Sequence, residues 1–124
     1  MIYGIGTDLI ETSRVKEQLD KVEGLCGQLF TPSEQAYCRS KKHSEQHFAA
    51  RLAAKEAWFK AFGTGWRDGM AYKEVEILND ELGKPMIRLH GRCKDLADEA
   101  EIRAIHVSLA HIRDYATATV ILER

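Results

Sequence analysis

The order of strand and helix signals predicts an α+β fold: a mainly antiparallel sheet packed on one long central helix. Three observations carry that prediction. Residues 45–62 make a helical stretch that is apolar on most sides, which is how a buried helix reads. The segment from Ala104 to Leu122 holds two strand-forming runs joined by a short polar loop, the pattern of an antiparallel hairpin. The signals follow the order strand, three helices, two strands, helix, hairpin, so strands and helices segregate rather than alternate. At 124 residues the chain is expected to form one domain, residues 1–124.

The first strand is expected over Met1–Ile10, favoured by Ile2, Tyr3, Ile5, Leu9 and Ile10. Gly4 and Gly6 interrupt it, and glycine inside a strand marks a close approach of another backbone or a ligand. Thr12 or Ser13 can cap a helix running to about Val22, with Val15 and Leu19 on one face. Gly24 and Gly27 punctuate a turn. Thr31-Pro-Ser-Glu34 has the form of a capping box with proline in the first turn, so a helix should run from there to about Lys41. Ser44 can cap the central helix, Glu45–Phe62, with Gly63 and Gly65 as its stop. Tyr72–Leu78 and Met86–Leu89 read as strands around an Asn79–Pro85 loop. Gly91–Glu101 reads as a helix. Ala104–Leu109 and Tyr115–Leu122 read as strands around a loop at His111–Asp114.

Composition narrows the class. Lys plus Arg number 18 against 19 Asp plus Glu, which argues against a dedicated nucleic-acid binder. The three cysteines, Cys26, Cys38 and Cys93, form no CxxC pair, so neither a disulfide framework nor a zinc site is expected. No run of 18 apolar residues occurs and no charged-then-apolar leader precedes the first strand; the expectation is a soluble cytoplasmic protein with no membrane partner. A domain of this size buries only about two-thirds of its unfolded surface. A wide cleft would consume that small core, so a site built between subunits is plausible.

Several side chains could carry chemistry. Asp8, expected at the end of the first strand, either reaches a cleft or simply stops the strand. Glu56 sits in the apolar helix, where it either pairs with Lys60 one turn later or binds a metal. Two carboxylates from a strand and a helix are compatible with Mg2+, which is usually held by one or two carboxylates plus waters and substrate phosphates. Lys60 can then neutralise charge on a transferred phosphoryl group. Arg51 and Lys55 lie on another side of the helix, where they meet phosphates or face solvent. Gly63-Thr-Gly65 and Gly83-Lys84-Pro85 are either turns or ligand loops. His106 and Ser108 share one face of a strand without forming a hydrolase triad, and no GxSxG elbow occurs. Arg14 and Lys21, seven apart, share a helix face suited to an acidic partner or to solvent.

In sequence order these segments resemble the holo-acyl-carrier-protein synthase type of 4′-phosphopantetheinyl transferase. Gly4-Ile-Gly-Thr-Asp8-Leu-Ile-Glu11 is similar to that family's opening strand. Phe48-Ala-Ala-Arg51-Leu-Ala-Ala-Lys55-Glu56-Ala57, followed by Lys60-Ala-Phe-Gly63-Thr-Gly65, resembles its central signature, and Gly83-Lys84-Pro85 and His106-Val-Ser108-Leu-Ala-His111 its later motifs. The resemblance implies transfer of 4′-phosphopantetheine from coenzyme A to a serine of an apo-acyl carrier protein, in service of fatty-acid or polyketide synthesis. It implies Asp8 and Glu56 as magnesium ligands, with Asp8, Glu56 and Lys60 catalytic. Arg51, Lys60, Gly65, Pro85, His106 and Ser108 would line the coenzyme A site. Arg14 and Lys21 would meet the acidic carrier protein, and a homotrimer would hold its active sites at subunit interfaces. Ala110 and Ile112 depart from the family's usual serine and acidic residue. Two rivals remain at this point: a non-catalytic module binding an acidic protein through Arg14, Lys16 and Lys21, and an enzyme acting on another nucleotide diphosphate.

Overall fold

The computed structural model describes residues 1–65 and 69–124. Strand β1 (Ile2–Glu11) is followed by helices α1 (Thr12–Lys21), α2 (Leu25–Leu29), α3 (Pro32–Arg39) and α4 (Ser44–Phe62). A 3-10 turn at Tyr72–Glu74 leads into the hairpin β2 (Val75–Asn79) and β3 (Pro85–Leu89). Helix α5 (Gly91–Glu99) and the hairpin β4 (Ala104–His111) and β5 (Tyr115–Glu123) complete the chain. The strands form two antiparallel sheets, β1-β5-β4 and β2-β3. The fold is the expected α+β class, with the antiparallel pairing divided between two sheets.

The helix signals correspond to local chemistry. Thr31 accepts from the Glu34 amide at 3.2 Å while Glu34 Oε1 accepts from the Thr31 amide at 2.9 Å, the reciprocal bonds of a capping box. Gly63 closes α4 in the left-handed region at φ 92, a conformation glycine adopts without Cβ strain. The helix α2 forms where only a turn was expected, because two glycines mask a one-turn helix in sequence. Tyr72–Glu74, expected as strand, is a 3-10 turn. Neither Thr12 nor Ser44 caps its helix from outside: each is the first helical residue, after Glu11 and His43.

The position of α4 fixes everything else. It lies on one face of the three-stranded sheet, against Ala118, Val120 and Leu122 of β5. Gly4 and Gly6 of β1 make that contact close. A Cβ on Gly4 would come 1.9 Å from the Ala61 carbonyl oxygen, and one on Gly6 would come 2.0 Å from that of Ala57. The glycines therefore admit the backbone of α4, one of the two meanings glycine in a strand can have. The other side of α4 buries Trp58 and Phe62, stacked at 5.1 Å, beneath β2 and α5.

Candidate active site

Asp8 lies inside β1, paired with Ala118, not at the strand's end as expected; β1 continues to Glu11. It faces α4 because of the sheet's two-residue period. Asp8 shares the α4-facing side with Gly4 and Gly6, whose missing side chains let the helix backbone come close. Lys60 Nζ donates to Asp8 Oδ1 at 2.9 Å and to the Thr7 carbonyl at 3.0 Å. The lysine therefore bridges α4 to β1, and no ion pair joins it to Glu56 among the described residues. Its side chain remains 55% exposed, whereas that of Asp8 is 17% exposed.

Glu56, half-buried on α4, is held from a third element. The Tyr72 hydroxyl donates to Glu56 Oε1 at 2.7 Å. Burial pushes the Tyr72 phenol up from its ordinary value, and the charges of Glu56 and then Asp8 push it further, so it stays a donor. Both carboxylates thus lie within electrostatic reach of one hydroxyl, where β1 packs on α4. Among the described residues Glu56 Oε2 and Asp8 Oδ2 accept no hydrogen bond. No group of three or more His, Cys, Asp or Glu gathers there or elsewhere among those residues. The donor set still fits Mg2+, which needs only one or two carboxylates when water and phosphate complete its shell.

Arg51 points to another side of α4 and is 3% exposed. Its Nη2 donates to Asn79 Oδ1 at 2.6 Å and its guanidinium lies 4.0 Å over the Tyr37 ring, while Nε has no partner. It lines a cavity of about 370 Å3 with Ser33, Tyr37 and Asn79. Pro85 is the register partner of Asn79, so the Gly83–Pro85 turn and Arg51 meet at the same asparagine. Gly65, past the α4 cap, is exposed with φ 68. Lys55 neither meets a phosphate nor faces solvent. It is fully buried, donating to Glu34 Oε1 at 2.8 Å and to the Tyr72 and Val75 carbonyls.

His106 and Ser108 are not brought to the Asp8 and Glu56 carboxylates. They lie on the outer face of the sheet, in register with Ile121 and Thr119, whereas Asp8, Ala118 and Leu109 share the inner face. His106 bonds to Glu123. Arg14 and Lys21 are both exposed on α1. Arg14 rims a groove of about 460 Å3 floored by Leu9, Val15, Leu19, Leu29 and Leu52, and Lys21 lies 4.0 Å from Glu17. Sequence reasoning missed Tyr72 because its run alternates like a strand. The groove was missed because its lining comes from five separate elements.

A family model described as the 4′-phosphopantetheinyl transferase superfamily matches residues 4–120. Holo-[acyl-carrier-protein] synthase of Geobacter sp. (strain M21) is 48% identical over 125 residues, covering 100% of both chains. That of Geotalea daltonii is 46% identical, again covering 100% of both. The crystal structure of the synthase from Neisseria meningitidis superposes with a TM-score of 0.90 at 31% identity, covering 100% of both chains. The Bacillus anthracis synthase in complex with CoA (3′,5′-ADP) gives 0.81 at 32% identity, over 98% of this chain and 96% of that one.

Proposed function

The chain belongs to the 4′-phosphopantetheinyl transferase superfamily, and from that premise we propose that it moves the 4′-phosphopantetheine arm of coenzyme A onto a serine of an apo-acyl carrier protein, leaving 3′,5′-ADP. The observation that carries this reading is the convergence of two carboxylates from different elements on the Tyr72 hydroxyl. Each has one oxygen held by a protein donor and, among the described residues, the other unbonded.

Asp8 and Glu56 are the proposed magnesium ligands. When bound, the cation supplies charge neutralisation and polarisation at the diphosphate. The carrier serine oxygen attacks the phosphorus that bears pantetheine, forming a P–O bond. The bond from that phosphorus to the bridging oxygen breaks, and its electron pair departs on 3′,5′-ADP. Glu56 takes the serine proton. Lys60 is long, exposed and tethered only at its tip, so its amine can turn from Asp8 to the charge that develops on the transferred group. Arg51 and Pro85 suit the nucleotide end of coenzyme A. The unpartnered Nε of a buried guanidinium supports an anion there, since a buried donor left unmatched is costly. Gly65 lines the same proposed site.

His106 and Ser108 belong to the site only if a neighbouring chain provides them, because they face away from Asp8. The homotrimer expected of the family meets that need. Its support is the pair of exposed aliphatic side chains on the outer face of the sheet, Ile5 at 64% and Leu9 at 67%. The groove beside Arg14, apolar with Arg14 and Glu11 as its charged residues, is the proposed dock for the acidic carrier protein, with Lys21 farther along α1 as a second cation. A cytoplasmic setting is supported by three free thiols and by the lack, among the described residues, of any helix long and apolar enough to cross a membrane.

The test is intact-protein mass spectrometry of an apo carrier protein incubated with coenzyme A, Mg2+ and this protein. The expected result is a mass gain of one phosphopantetheine that chelation of the metal prevents. Glu56→Gln should abolish it while leaving the circular dichroism spectrum unchanged. Carrier binding without any mass gain would instead identify a non-catalytic module, and turnover by Glu56→Gln would remove Glu56 from the mechanism.

A further inference from the structure

The Tyr72 hydroxyl touches the carboxylate on which the proposed chemistry depends, and nothing in phosphoryl transfer itself calls for a phenol there. We propose that Tyr72 is a positioning residue: its hydroxyl pins Glu56 Oε1 and fixes the plane of the carboxylate, so that Oε2 is the oxygen presented to the divalent cation. This rests on the cation-binding role given to Glu56 above.

The geometry supports a fixed anchor. Glu56 stands on α4, buried along most of its length. The Tyr72 ring packs edge-on against Phe59 of the same helix, with centroids 5.3 Å apart at 78°. Its backbone is held too, because the Tyr72 carbonyl accepts from the buried Lys55 Nζ at 3.0 Å. Donor and acceptor are therefore both restrained before they meet, and little rotamer freedom is lost in making the bond. An unanchored glutamate end rotates about its terminal torsion with almost no preference. The hydroxyl removes that freedom by holding Oε1.

The two carboxylates are then held in unequal ways. Asp8 is bonded by Lys60, a flexible and largely exposed side chain that can leave when an anionic ligand arrives. Glu56 is bonded by an uncharged phenol whose ring and backbone are both packed. One ligand can thus be freed for rearrangement while the other keeps its aim. Removing a group that orients a metal's ligand in this way typically costs about 10–100-fold in metal affinity.

Tyr72→Phe tests the inference, since it keeps the ring and its contact with Phe59 and removes only the hydroxyl. Mn2+ binding to the intact protein in the presence of coenzyme A would be followed by the electron paramagnetic resonance of free Mn2+. Carrier modification would be measured across the same Mn2+ concentrations. The expected result is a dissociation constant for Mn2+ raised about tenfold and a matching rise in the Mn2+ needed for half-maximal rate. At saturating Mn2+ the kcat should return to the wild-type value, with the melting temperature unchanged. In a Glu56→Gln background the same substitution should add nothing to the loss of Mn2+ binding. Unchanged Mn2+ affinity in Tyr72→Phe would overturn the inference. So would a lowered kcat at every Mn2+ concentration, because the hydroxyl would then act on something other than cation binding. Wild-type protein that takes up no Mn2+ beside coenzyme A would instead overturn the role of Glu56 itself.

Discussion

Lys55 holds a charge where no water reaches it, and its surroundings show how one residue type serves opposite ends on one helix. Burial lowers its pKa, while the Glu34 charge and hydrogen bond act in the other direction. Glu34 is equally buried and also accepts the Ile77 amide at 2.8 Å, so the pair ties α3, α4 and β2 together. Five residues on, Lys60 stands more than half in solvent and bonds to Asp8. Lys55 is thus part of the scaffold, and Lys60 is available for chemistry. Lys55→Met should strip Glu34 of its countercharge and destabilise the fold by about 3–5 kcal/mol, read as a lower urea midpoint. A midpoint equal to wild type would show that Glu34 is satisfied without the lysine. The family signature spans both lysines, and nothing in their spacing tells buried from exposed. Only the placement of Glu34, from a capping box twenty-one residues earlier, settles Lys55. Tyr72 was illegible for a related reason: its partner Glu56 lies sixteen residues away, and a tyrosine in an alternating run reads as strand.

Among the elements, β1 and α4 carry the site, and their contact depends on absent side chains. Gly6 is the tighter case to test, because an added Cβ would lie 2.0 Å from the Ala57 carbonyl oxygen and 2.6 Å from the Ala61 amide nitrogen. Both are backbone atoms of a helix and cannot rotate aside. Gly6→Ala should push α4 from the sheet, costing about 3 kcal/mol and widening the gap between Asp8 and Lys60. The melting temperature and the rate of carrier modification should fall together. Gly27→Ala is the control, with nothing within 4 Å of its new methyl. A Gly6→Ala protein with wild-type melting temperature would mean that the helix gives way easily and that the glycines are not what sets the packing. The central helix, the capped α3 and the terminal hairpin were readable from pattern because each is fixed by its own residues. The partition into two sheets was not. It depends on β3 lying near β4 without joining its ladder, which no local signal encodes.

At the scale of the molecule, the open face of the three-stranded sheet is hard to reconcile with a chain that works alone. Ile5 and Leu9 project from β1 on the side away from α4, both more than half exposed, with His106 and Ser108 on the same outer surface. A contact between unlike surfaces repeated around a closed ring would cover the isoleucine and leucine together. A trimer that set His106 and Ser108 of one chain beside Asp8 and Glu56 of the next would use this face. The substitution Ile5→Arg adds a charge to that face without touching the α4 side or the Leu9 floor of the carrier groove, so each chain should still fold. Sedimentation should then report a monomer, with an unchanged melting profile at low protein concentration. Carrier modification should be lost even though Asp8, Glu56, Lys60 and Tyr72 are intact. A monomeric Ile5→Arg variant that modifies the carrier at the wild-type rate would show that one chain holds a complete site. His106 and Ser108 would then be surface residues of the sheet and nothing more.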